Sequence, residues 1–341
     1  MTATTMQAWA VDEPGPVGSR PLVRVERAVP EPGPGQLRVH VRVCGVCRTD
    51  LHLAEGDLAP RHHLVIPGHE VVGTVDRLGP GSVRFAEGDR VGVPWLARTC
   101  GQCRFCISGR ENLCLAPQFR GWDLDGGYGE HVVADEAFVY AIPDVFSDGE
   151  AAPLLCAGII GYRSLRRARL PPGGRLGIYG FGASAHLTAQ IALAEGARVH
   201  VLTRSSAAQA LALELGATSA GEADGLPPEP LDAAILFAPV GTLVLPALQA
   251  LDRGGCLSIA GIHLTDIPPL NYDRHLFEER TLCSVTANTR QDGIEFLQLA
   301  ARIPVRVSTT PYSMDRANEA LADLSEDRVN GAAVLVNDEP S

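Results

Sequence analysis

The chain has 341 residues, long enough for two domains with separate cores, and its 45% hydrophobic and 20% charged residues are ordinary for a globular protein. Its formal charge of −11 argues against a general affinity for nucleic acid or for an anionic membrane. No apolar run approaches the roughly 18 residues of a transmembrane helix, and the first residues show no basic region followed by an apolar run, so we expect a cytoplasmic protein.

The first part of the chain has the pattern of a compact, barrel-like β domain. Residues 37–43 alternate apolar and polar side chains, as a half-buried strand does. Further strands are predicted at residues 71–75 and 90–93, because turns rich in Gly, Pro and Asp separate these apolar segments.

From residue 151 onward the pattern becomes an alternation of helices and strands. A helix is predicted over residues 151–169, and Pro171-Pro172-Gly173-Gly174 ends it. The chain then alternates between strands (176–179, 199–202, 233–237, 256–260, 282–285) and helices (186–195 and 207–215). Such alternation predicts an α/β fold with a doubly wound parallel sheet.

The last part of the chain carries two helical patterns, at residues 293–301 and 316–325, and a final strand at 332–336. We expect this part to return to the first domain. The predicted organisation is therefore a β-rich domain formed by residues 1–150 and 286–341, with a nucleotide-binding domain formed by residues 151–285.

Four cysteines lie close together at C-x2-C-x2-C-x7-C spacing: Cys100, Cys103, Cys106 and Cys114. Their thiolates can surround a zinc ion and leave it no open position, which predicts a structural metal site in a lobe at about residues 95–116. An iron–sulfur cluster is the alternative. Zinc is favoured because no proline directly follows the last cysteine. Cys256 and Cys283 fall within predicted strands, where we expect core packing.

A second, dispersed group of candidate metal ligands comprises Cys47, His69, Glu70 and Cys156. Two thiolates and one imidazole would hold zinc and leave a fourth position for a substrate oxygen or for water. Cys44 and Cys47 could instead form a redox pair. That reading needs a thioredoxin-like context, which the surrounding strands do not supply, so we interpret Cys44 as a packing residue.

A strand, a glycine turn and a helix follow one another near residue 180. Gly180 and Gly182 allow a close approach to a pyrophosphate, and Ala185 takes the third small position. The chain contains no lysine, so phosphate must be bound by arginine or by backbone N–H groups. Thr203 and Arg204 follow the second strand where an NAD site usually has an acidic residue, which favours NADP over NAD. The alternative is that Arg204 is only a surface residue.

With these motifs in place, the sequence resembles the zinc-dependent alcohol dehydrogenases of the medium-chain dehydrogenase/reductase family. The resemblance runs from about residue 6 to residue 336. Its specific motifs are Cys47-Arg48-Thr49-Asp50-Leu51-His52, Gly68-His69-Glu70, the four-cysteine lobe, Pro153-Leu154-Leu155-Cys156-Ala157-Gly158 and the glycine turn. It implies a GroES-like catalytic domain, interrupted by a Rossmann domain, with the active site in the cleft between them.

The resemblance also implies roles for single residues. Cys47, His69 and Cys156 would bind the catalytic zinc, with Glu70 behind it or transiently beside it. Asp50 would orient His69. The catalytic proton would pass from the substrate to Thr49, through the cofactor ribose, and on to His52. Arg48 would meet the pyrophosphate. We expect Trp95 and Trp122 to line the substrate pocket, with ordinary core packing as the alternative. Asn330 departs from the family, since many relatives have an arginine there.

The predicted function is hydride transfer between a small-molecule alcohol, aldehyde or ketone and NADP(H) or NAD(H), with two zinc ions per subunit. A polyol dehydrogenase is a near alternative, although Trp95, Leu96, Leu155 and Ile262 favour a less polar substrate. A catalytically silent zinc- and nucleotide-binding protein is a further alternative. It is disfavoured because every ligand and proton-transfer residue is present. Relatives form dimers or tetramers, so we expect a homo-oligomer that binds neither nucleic acid nor membrane.

Overall fold

The computed structural model describes residues 4–261, 264–303 and 305–337. Ile262, expected near the substrate, lies outside these ranges. Within them, no helix combines the length and the apolar character that crossing a membrane requires.

Seventeen strands and ten helices follow one another along the described ranges. The strands are β1 (Thr5–Val11), β2 (Leu22–Ala28), β3 (Gln36–Val46), β4 (Val71–Leu78), β5 (Arg90–Val93), β6 (Leu96–Arg98), β7 (Gln118–Phe119), β8 (His131–Asp135), β9 (Tyr140–Ala141), β10 (Arg175–Tyr179), β11 (Arg198–Leu202), β12 (Ser219–Gly221), β13 (Leu231–Leu236), β14 (Leu251–Ile259), β15 (Thr281–Ser284), β16 (Thr309–Ser313) and β17 (Ala332–Val336). The helices are α1 (Arg48–Glu55), α2 (Arg104–Ile107), α3 (Asp148–Pro153), α4 (Ile159–Ala168), α5 (Ala183–Ala194), α6 (Ser206–Glu214), α7 (Val244–Ala250), α8 (Tyr272–His275), α9 (Arg290–Ala300) and α10 (Ala317–Ser325).

The chain divides into two compact units. Unit 1 comprises Met1–Cys156, Thr289–Ala301 and Val307–Ser341, and unit 2 comprises Ala157–Asn288 and Arg302–Arg306. Unit 1 is built on a sheet in the order β16-β17-β3-β4-β5-β9, with β8 pairing β3. Two small two-stranded sheets, β1-β2 and β6-β7, complete it.

The long strand β3 organises unit 1. It pairs antiparallel with β4, β8 and β17, and its side chains Leu37, Val39 and Val41 are completely buried. Since β3 and β4 run antiparallel, the end of β3 lies beside the start of β4. Cys44 is accordingly paired with Val71. The segments after β3 and before β4 are thereby brought together.

Unit 2 contains a six-stranded sheet in the order β12-β11-β10-β13-β14-β15. All its neighbouring strands are parallel. Parallel neighbours require crossover connections, and helices α5, α6 and α7 lie in the chain between successive strands of this sheet. The doubly wound parallel sheet predicted from the alternating pattern is confirmed.

The helix predicted over residues 151–169 differs from the observed one. It begins earlier, at Asp148, because Ser147 and Glu150 form a reciprocal capping box. It is also interrupted by a π-helical segment, Leu154–Gly158, before α4. Propensity and periodicity do not indicate such a widened turn, although these turns are frequent at functional sites.

The four-cysteine lobe is joined to α9 by a buried carboxylate within unit 1. Glu111 is 7% exposed. The single N–H of Arg290 Nε is shared between the two carboxylate oxygens, at 2.9 and 3.0 Å, and Nη2 donates at 2.7 Å. The carboxylate also accepts a bond of 2.8 Å from the Arg290 backbone N–H, at the first residue of α9. Burial by itself raises the pKa of Glu111, but these hydrogen bonds outweigh it and hold the pKa below its usual value.

We expect Glu111→Gln to lower the free energy of unfolding by about 1 to 2 kcal/mol at pH 7, since the Arg290 side chain is partly exposed. A carboxyl with a lowered folded-state pKa stabilises the protein above its unfolded pKa and loses this contribution as the pH falls. The difference from wild type in urea denaturation should therefore shrink between pH 6 and pH 3. Glu13→Gln, on the exposed surface, is the control. A difference that stays constant with pH would contradict this account.

Candidate functional site

Cys47 begins the helix that carries most of the predicted catalytic residues. It directly follows β3 and is the N-cap of α1. Its backbone N–H donates to Asp50 Oδ2 at 2.9 Å, so a reciprocal capping arrangement fixes the first turn. Thr49, Asp50 and His52 follow within the same helix.

Asp50 also binds the segment that carries His69. Its Oδ1 accepts a hydrogen bond of 2.9 Å from the Gly68 backbone N–H and lies 3.3 Å from His69 Nδ1. The Asp50 carboxylate acts on the His69 ring across this distance and raises its pKa. Asp50 and His69 are each only 1% exposed. One buried carboxylate therefore links the start of α1 to the loop before β4.

The fourth member of the dispersed set, Cys156, comes from the π-helical segment Leu154–Gly158. Its Sγ lies 4.0 Å from Cys47 Sγ. Cys47, His69, Glu70 and Cys156 each offer a ligand atom within 4.8 Å of the others. Zinc–sulfur bonds of about 2.3 Å in a tetrahedron place two sulfurs about 3.8 Å apart. The donor types and this spacing therefore fit a zinc ion.

Glu70 reaches this cluster because Gly45 has no side chain. A Cβ at Gly45 would lie 1.9 Å from Glu70 Oε2 and 2.8 Å from Glu70 Cβ.

Cys44 has a different environment, enclosed by glycines. A Cβ added at Gly68 would lie 2.7 Å from Cys44 Sγ, and one added at Gly127 would lie 3.0 Å from it. The Cys44 side chain is completely buried among these glycines, as a packing residue would be.

The buried groups of this cluster shift each other's ionisation. A hydrogen bond from Cys156 and the neighbouring His69 hold the pKa of the Cys47 thiol well below its usual value. Burial raises the pKa of Glu70. Burial would lower the pKa of His69, but Asp50 and Cys47 outweigh it and raise the pKa. Since a metal ion binds thiolate and neutral imidazole, it would take the place of these shared protons.

The four cysteines of the lobe also converge. Cys100, Cys103, Cys106 and Cys114 offer sulfur atoms within 4.8 Å of one another. Cys106 Sγ lies 3.9 Å from Cys100 Sγ and 3.5 Å from Cys103 Sγ. Backbone N–H groups point at these sulfurs, including that of Cys103 at Cys100 Sγ, at 3.4 Å. Such N–H groups stabilise thiolate, so this second cluster also fits a closed zinc site.

Three aromatic rings form a stack that starts at His69, and we call it the aromatic stack: Trp95, Phe119 and Trp122. Trp95 meets the His69 ring edge to face at 5.0 Å and stacks on Phe119 at 4.9 Å. Trp122 lies 6.2 Å from Trp95 in a parallel orientation. Phe119 was not predicted from the sequence. The sequence signal that could have found it is its position shortly after the fourth lobe cysteine. In the structure it lies in β7, which pairs with β6, the strand that begins just after Trp95. Leu96 and Leu155, expected near the substrate, are both buried, and their place beside a substrate stays a prediction.

Thr49, His52 and Arg48 lie on α1 beside the cluster. Thr49 Oγ1 is 3.8 Å from Cys47 Sγ, which puts this hydroxyl next to the proposed metal ligands. His52 Nδ1 lies 3.0 Å from Asp57. The Arg48 guanidinium donates to Asp327 at 2.5 Å, a partner that the sequence did not suggest. A phosphate at Arg48 would therefore compete with Asp327.

In unit 2 the glycine turn links β10 to α5. Gly180 has a φ of +85°, and a Cβ there would come within 2.9 Å of the Ala238 backbone nitrogen. Gly182 caps α5, and a Cβ on it would meet no described atom within 4 Å, so the space above this turn is open. Ala185 is completely buried. An open turn at a helix N-terminus fits a pyrophosphate.

Thr203 and Arg204 follow β11 near this turn. Thr203 is 7% exposed, and its backbone N–H donates to Gly221 at 2.9 Å. Arg204 is exposed and forms no ion pair with the residues that the structure describes. Ser205 caps α6 by accepting from Ala208 N–H at 3.3 Å. Arg204 thus places a positive charge at the end of the second strand, where a ribose phosphate is expected.

Comparison with known proteins places both units in known families. Residues 33–144 match the family model of the alcohol dehydrogenase GroES-like domain. Residues 185–302 match the model of the zinc-binding dehydrogenases.

Single relatives match along nearly the whole chain. A probable alcohol dehydrogenase AdhA of Mycobacterium tuberculosis is 58% identical, over 98% of each chain. An alcohol dehydrogenase of Geobacillus stearothermophilus is 35% identical over 93% of this chain and 96% of its own length.

Solved structures agree in fold. The cinnamyl alcohol dehydrogenase SbCAD4 from Sorghum bicolor is 27% identical, with a TM-score of 0.87 and 97% of each chain covered. A cobalt- and zinc-bound thermostable alcohol dehydrogenase from Pyrobaculum aerophilum is 26% identical, with a TM-score of 0.87 over 97% of this chain and 99% of that chain.

Because Asp50 fixes both ligand-bearing segments, we expect Asp50→Asn to weaken metal binding at the dispersed cluster by about 10- to 100-fold. The amide would turn an N–H₂ group toward a backbone N–H that now meets a carboxylate oxygen. Zinc release to a chromophoric chelator measures the change. Asp12→Asn, at an exposed position, controls for the loss of one charge. Unchanged zinc affinity in the Asp50 variant would show that Asp50 does not position the ligands.

Proposed function

Since the chain belongs to the zinc-containing alcohol dehydrogenases of the medium-chain dehydrogenase/reductase family, we propose that it exchanges hydride between alcohols and a pyridine nucleotide at a metal held by Cys47, His69 and Cys156. The observation that carries this assignment is the convergence of two sulfurs, one imidazole and one carboxylate within 4.8 Å of each other. Membership of the family makes the chain an oxidoreductase that acts on a small molecule. The assignments of single residues are our proposal.

The side chains of this cluster would bind a zinc ion that acts as a Lewis acid. Zinc at this cluster would polarise the substrate oxygen and stabilise the charge that develops on it. Cys47 and Cys156 supply the negative charge, and Asp50 holds His69 so that Nδ1 faces the carboxylate and Nε2 is left for the metal. Glu70, for which Gly45 leaves room, would be available as an additional or transient ligand.

Thr49 and His52 would move the alcohol proton. Thr49 Oγ1, which lies 3.8 Å from Cys47 Sγ, would accept this proton on a lone pair while its own proton passes through the cofactor ribose toward His52. His52 stands three residues later, on the same face of α1, and Asp57 holds its Nδ1. The partly exposed imidazole can exchange a proton with solvent.

The lobe would hold a second, structural zinc. Four sulfurs around one point leave no position for a substrate, so a metal there stabilises the fold and takes no part in the reaction. We therefore propose two zinc ions per subunit, and we propose that unit 1 and unit 2 are the catalytic and nucleotide-binding domains.

The nucleotide would be NADP, with NAD as the alternative. The nicotinamide ring, when bound, accepts or donates the hydride. Gly182 would leave room for the pyrophosphate, since a Cβ on it would meet no described atom within 4 Å, while Gly180 forms the turn and Ala185 takes the third small position. Thr203 and Arg204 offer donors for a 2′-phosphate. The Arg204 guanidinium has no ion-pair partner among the described residues. Arg48 would bind the pyrophosphate, which would replace Asp327 as the partner of its guanidinium.

The aromatic stack supports an alcohol or aldehyde with an apolar body. Trp95 and Trp122, predicted as pocket residues, and Phe119 give this side of the proposed metal site an apolar surface. A homo-oligomer and a cytoplasmic location stay predictions.

Two variants should distinguish the two proposed metal sites. Wild type should contain two zinc equivalents, whereas Cys47→Ser and Cys103→Ser should each lose one. Loss of the Lewis acid should lower kcat of Cys47→Ser by about a thousandfold or more. Cys103→Ser should mainly lose thermal stability. Zinc content by elemental analysis, kcat and Tm are measured together. Full activity of Cys47→Ser would exclude the proposed catalytic metal.

The choice of nucleotide can be tested at Arg204. Arg204→Gln should raise the Kd of NADPH by about 10- to 100-fold, because charge-assisted bonds to the phosphate are lost, and should leave NADH binding unchanged. Nucleotide fluorescence titration measures both. Arg198→Gln, in β11 with its own partner Glu229, is the control. Equal effects on NADPH and NADH, or tight binding of NADH alone by wild type, would contradict the proposal.

A further inference from the structure

Two histidines outside both metal clusters lie side by side on the sheet of unit 1. His40 in β3 pairs with His131 in β8 in antiparallel register. The next pair along is joined by a backbone hydrogen bond of 2.8 Å, from the Val41 N–H to the Glu130 carbonyl. Hydrogen-bonded and non-hydrogen-bonded pairs alternate in an antiparallel ladder. His40 and His131 therefore form a non-hydrogen-bonded pair, in which facing side chains are closest.

The distance between the two rings suits a shared metal ion. The ring centroids are 5.1 Å apart, and the ring planes are tilted by 60°. With metal–nitrogen bonds of about 2.0 to 2.1 Å in a tetrahedron, two imidazoles on one zinc ion have ring centroids about 5 Å apart. Ring packing alone would also allow this separation, so the state of the ring nitrogens decides between the two.

A carboxylate holds one nitrogen of His131. His131 Nε2 lies 3.3 Å from Asp76 Oδ2. The single N–H of Arg38 Nε is shared between the two oxygens of the same carboxylate, at 2.9 and 3.1 Å. Burial raises the pKa of Asp76, but His131 and Arg38 outweigh it and hold the pKa below its usual value. The ionised Asp76 favours a proton on Nε2, which leaves the lone pair of His131 on Nδ1.

The Nδ1 atom of His131 is buried and has no hydrogen-bond partner among the described residues. A buried acceptor without a partner is rare in folded proteins, and a bound ion or water is the usual explanation. Metal-binding histidines are commonly held by a carboxylate on one nitrogen and bind the metal with the other. Asp76 and His131 have this arrangement, which ring packing does not require.

His40 supplies the second nitrogen donor. Burial, and then the neighbouring His131, lower the pKa of His40, although Asp76 and Glu130 oppose the shift. The ring is therefore neutral at pH 7 and has a lone pair for a metal ion.

The space and the charge around His40 permit a hydrated cation. A cavity of about 300 Å³ borders His40, Thr74 and Asn337. It has room for the water molecules that complete the coordination of an ion with two protein ligands. Arg42, which also borders this cavity, is paired with Asp148 at 2.8 Å, so its positive charge is compensated.

We propose that His40 and His131 form a further metal site, separate from the two cysteine-containing clusters, which binds a borderline divalent cation such as Zn²⁺. Each imidazole supplies one lone pair, and water fills the remaining positions. Imidazole suits zinc and related ions, whereas magnesium and calcium prefer oxygen donors. With only two protein ligands, the ion exchanges with solvent and links β8 to β3. Asp76 is a positioning residue that presents Nδ1 of His131.

Zinc binding measures the site directly. The purified protein, with its tightly bound zinc retained, is titrated with zinc chloride at pH 7 by calorimetry, and bound zinc is counted after equilibrium dialysis. We expect wild type to bind one zinc equivalent more than His40→Gln or His131→Gln. The two variants are read independently, so one of them suffices if the other does not fold. His63→Gln, which removes an exposed imidazole elsewhere in unit 1, should bind as much as wild type. Equal zinc binding by wild type and the folded variants would overturn the proposal.

The role of Asp76 has its own control. Asp76→Asn should weaken binding of the additional zinc by about 10- to 100-fold, because an amide no longer fixes the proton on Nε2 of His131. Glu31→Gln removes a different carboxylate that contacts Arg38, at 3.5 Å, and should leave the affinity unchanged. Calorimetry measures both. An equal affinity in wild type and Asp76→Asn would rule out the positioning role.

The link between β3 and β8 is tested by stability. An ion that binds only the folded protein raises its Tm with increasing concentration. Zinc at about a hundred times its Kd should raise the Tm of wild type by a few degrees relative to the same protein without added zinc. Magnesium at the same concentration should give no increase. An equal rise in His131→Gln would contradict stabilisation through this pair.

Discussion

The Asp50 carboxylate is shared by three parts of unit 1: the first turn of α1, the backbone at Gly68 and the ring of His69. A buried carboxylate that accepts two backbone N–H groups is firmly held, since leaving those donors unpaired would cost more than each bond contributes. The end of β3 lies beside the start of β4, which brings the segments that carry Cys47 and His69 close together. Asp50 then fixes their orientation. The geometry of Cys47 and His69 follows from this one group.

The nine cysteines show how environment decides what a thiol does. In the lobe, neighbouring sulfurs and backbone N–H groups surround one point and suit a closed metal site. In the dispersed cluster, two sulfurs share space with an imidazole and a carboxylate, so one side can be left for a substrate. Cys44 is enclosed by apolar atoms and glycine backbone and only packs. At Cys283, a hydrogen bond from Cys256 and the charges of Arg167 and Arg169 lower the pKa of the thiol.

Much of the fold and most of the candidate ligands could be predicted from local pattern. The alternation of strands and helices after residue 151 required a parallel sheet, because parallel neighbours need crossover connections. Strands β1, β2, β8 and β16 were not predicted. For β8 the reason is that it is held by pairing with β3, far away in the chain, which its own composition does not indicate. The π-helical turn that presents Cys156 has no local signature either.

The sequence by itself determined the types of candidate ligand and their grouping, since the spacing of the lobe cysteines and the residues around Cys47 and His69 favour metal binding. Only the tertiary structure decided which long-range neighbours each group has. It placed Phe119 against Trp95, Asp327 against Arg48 and Cys283 beside Cys256. These contacts join residues distant along the chain, so they depend on sheet register and packing, which a linear pattern does not encode.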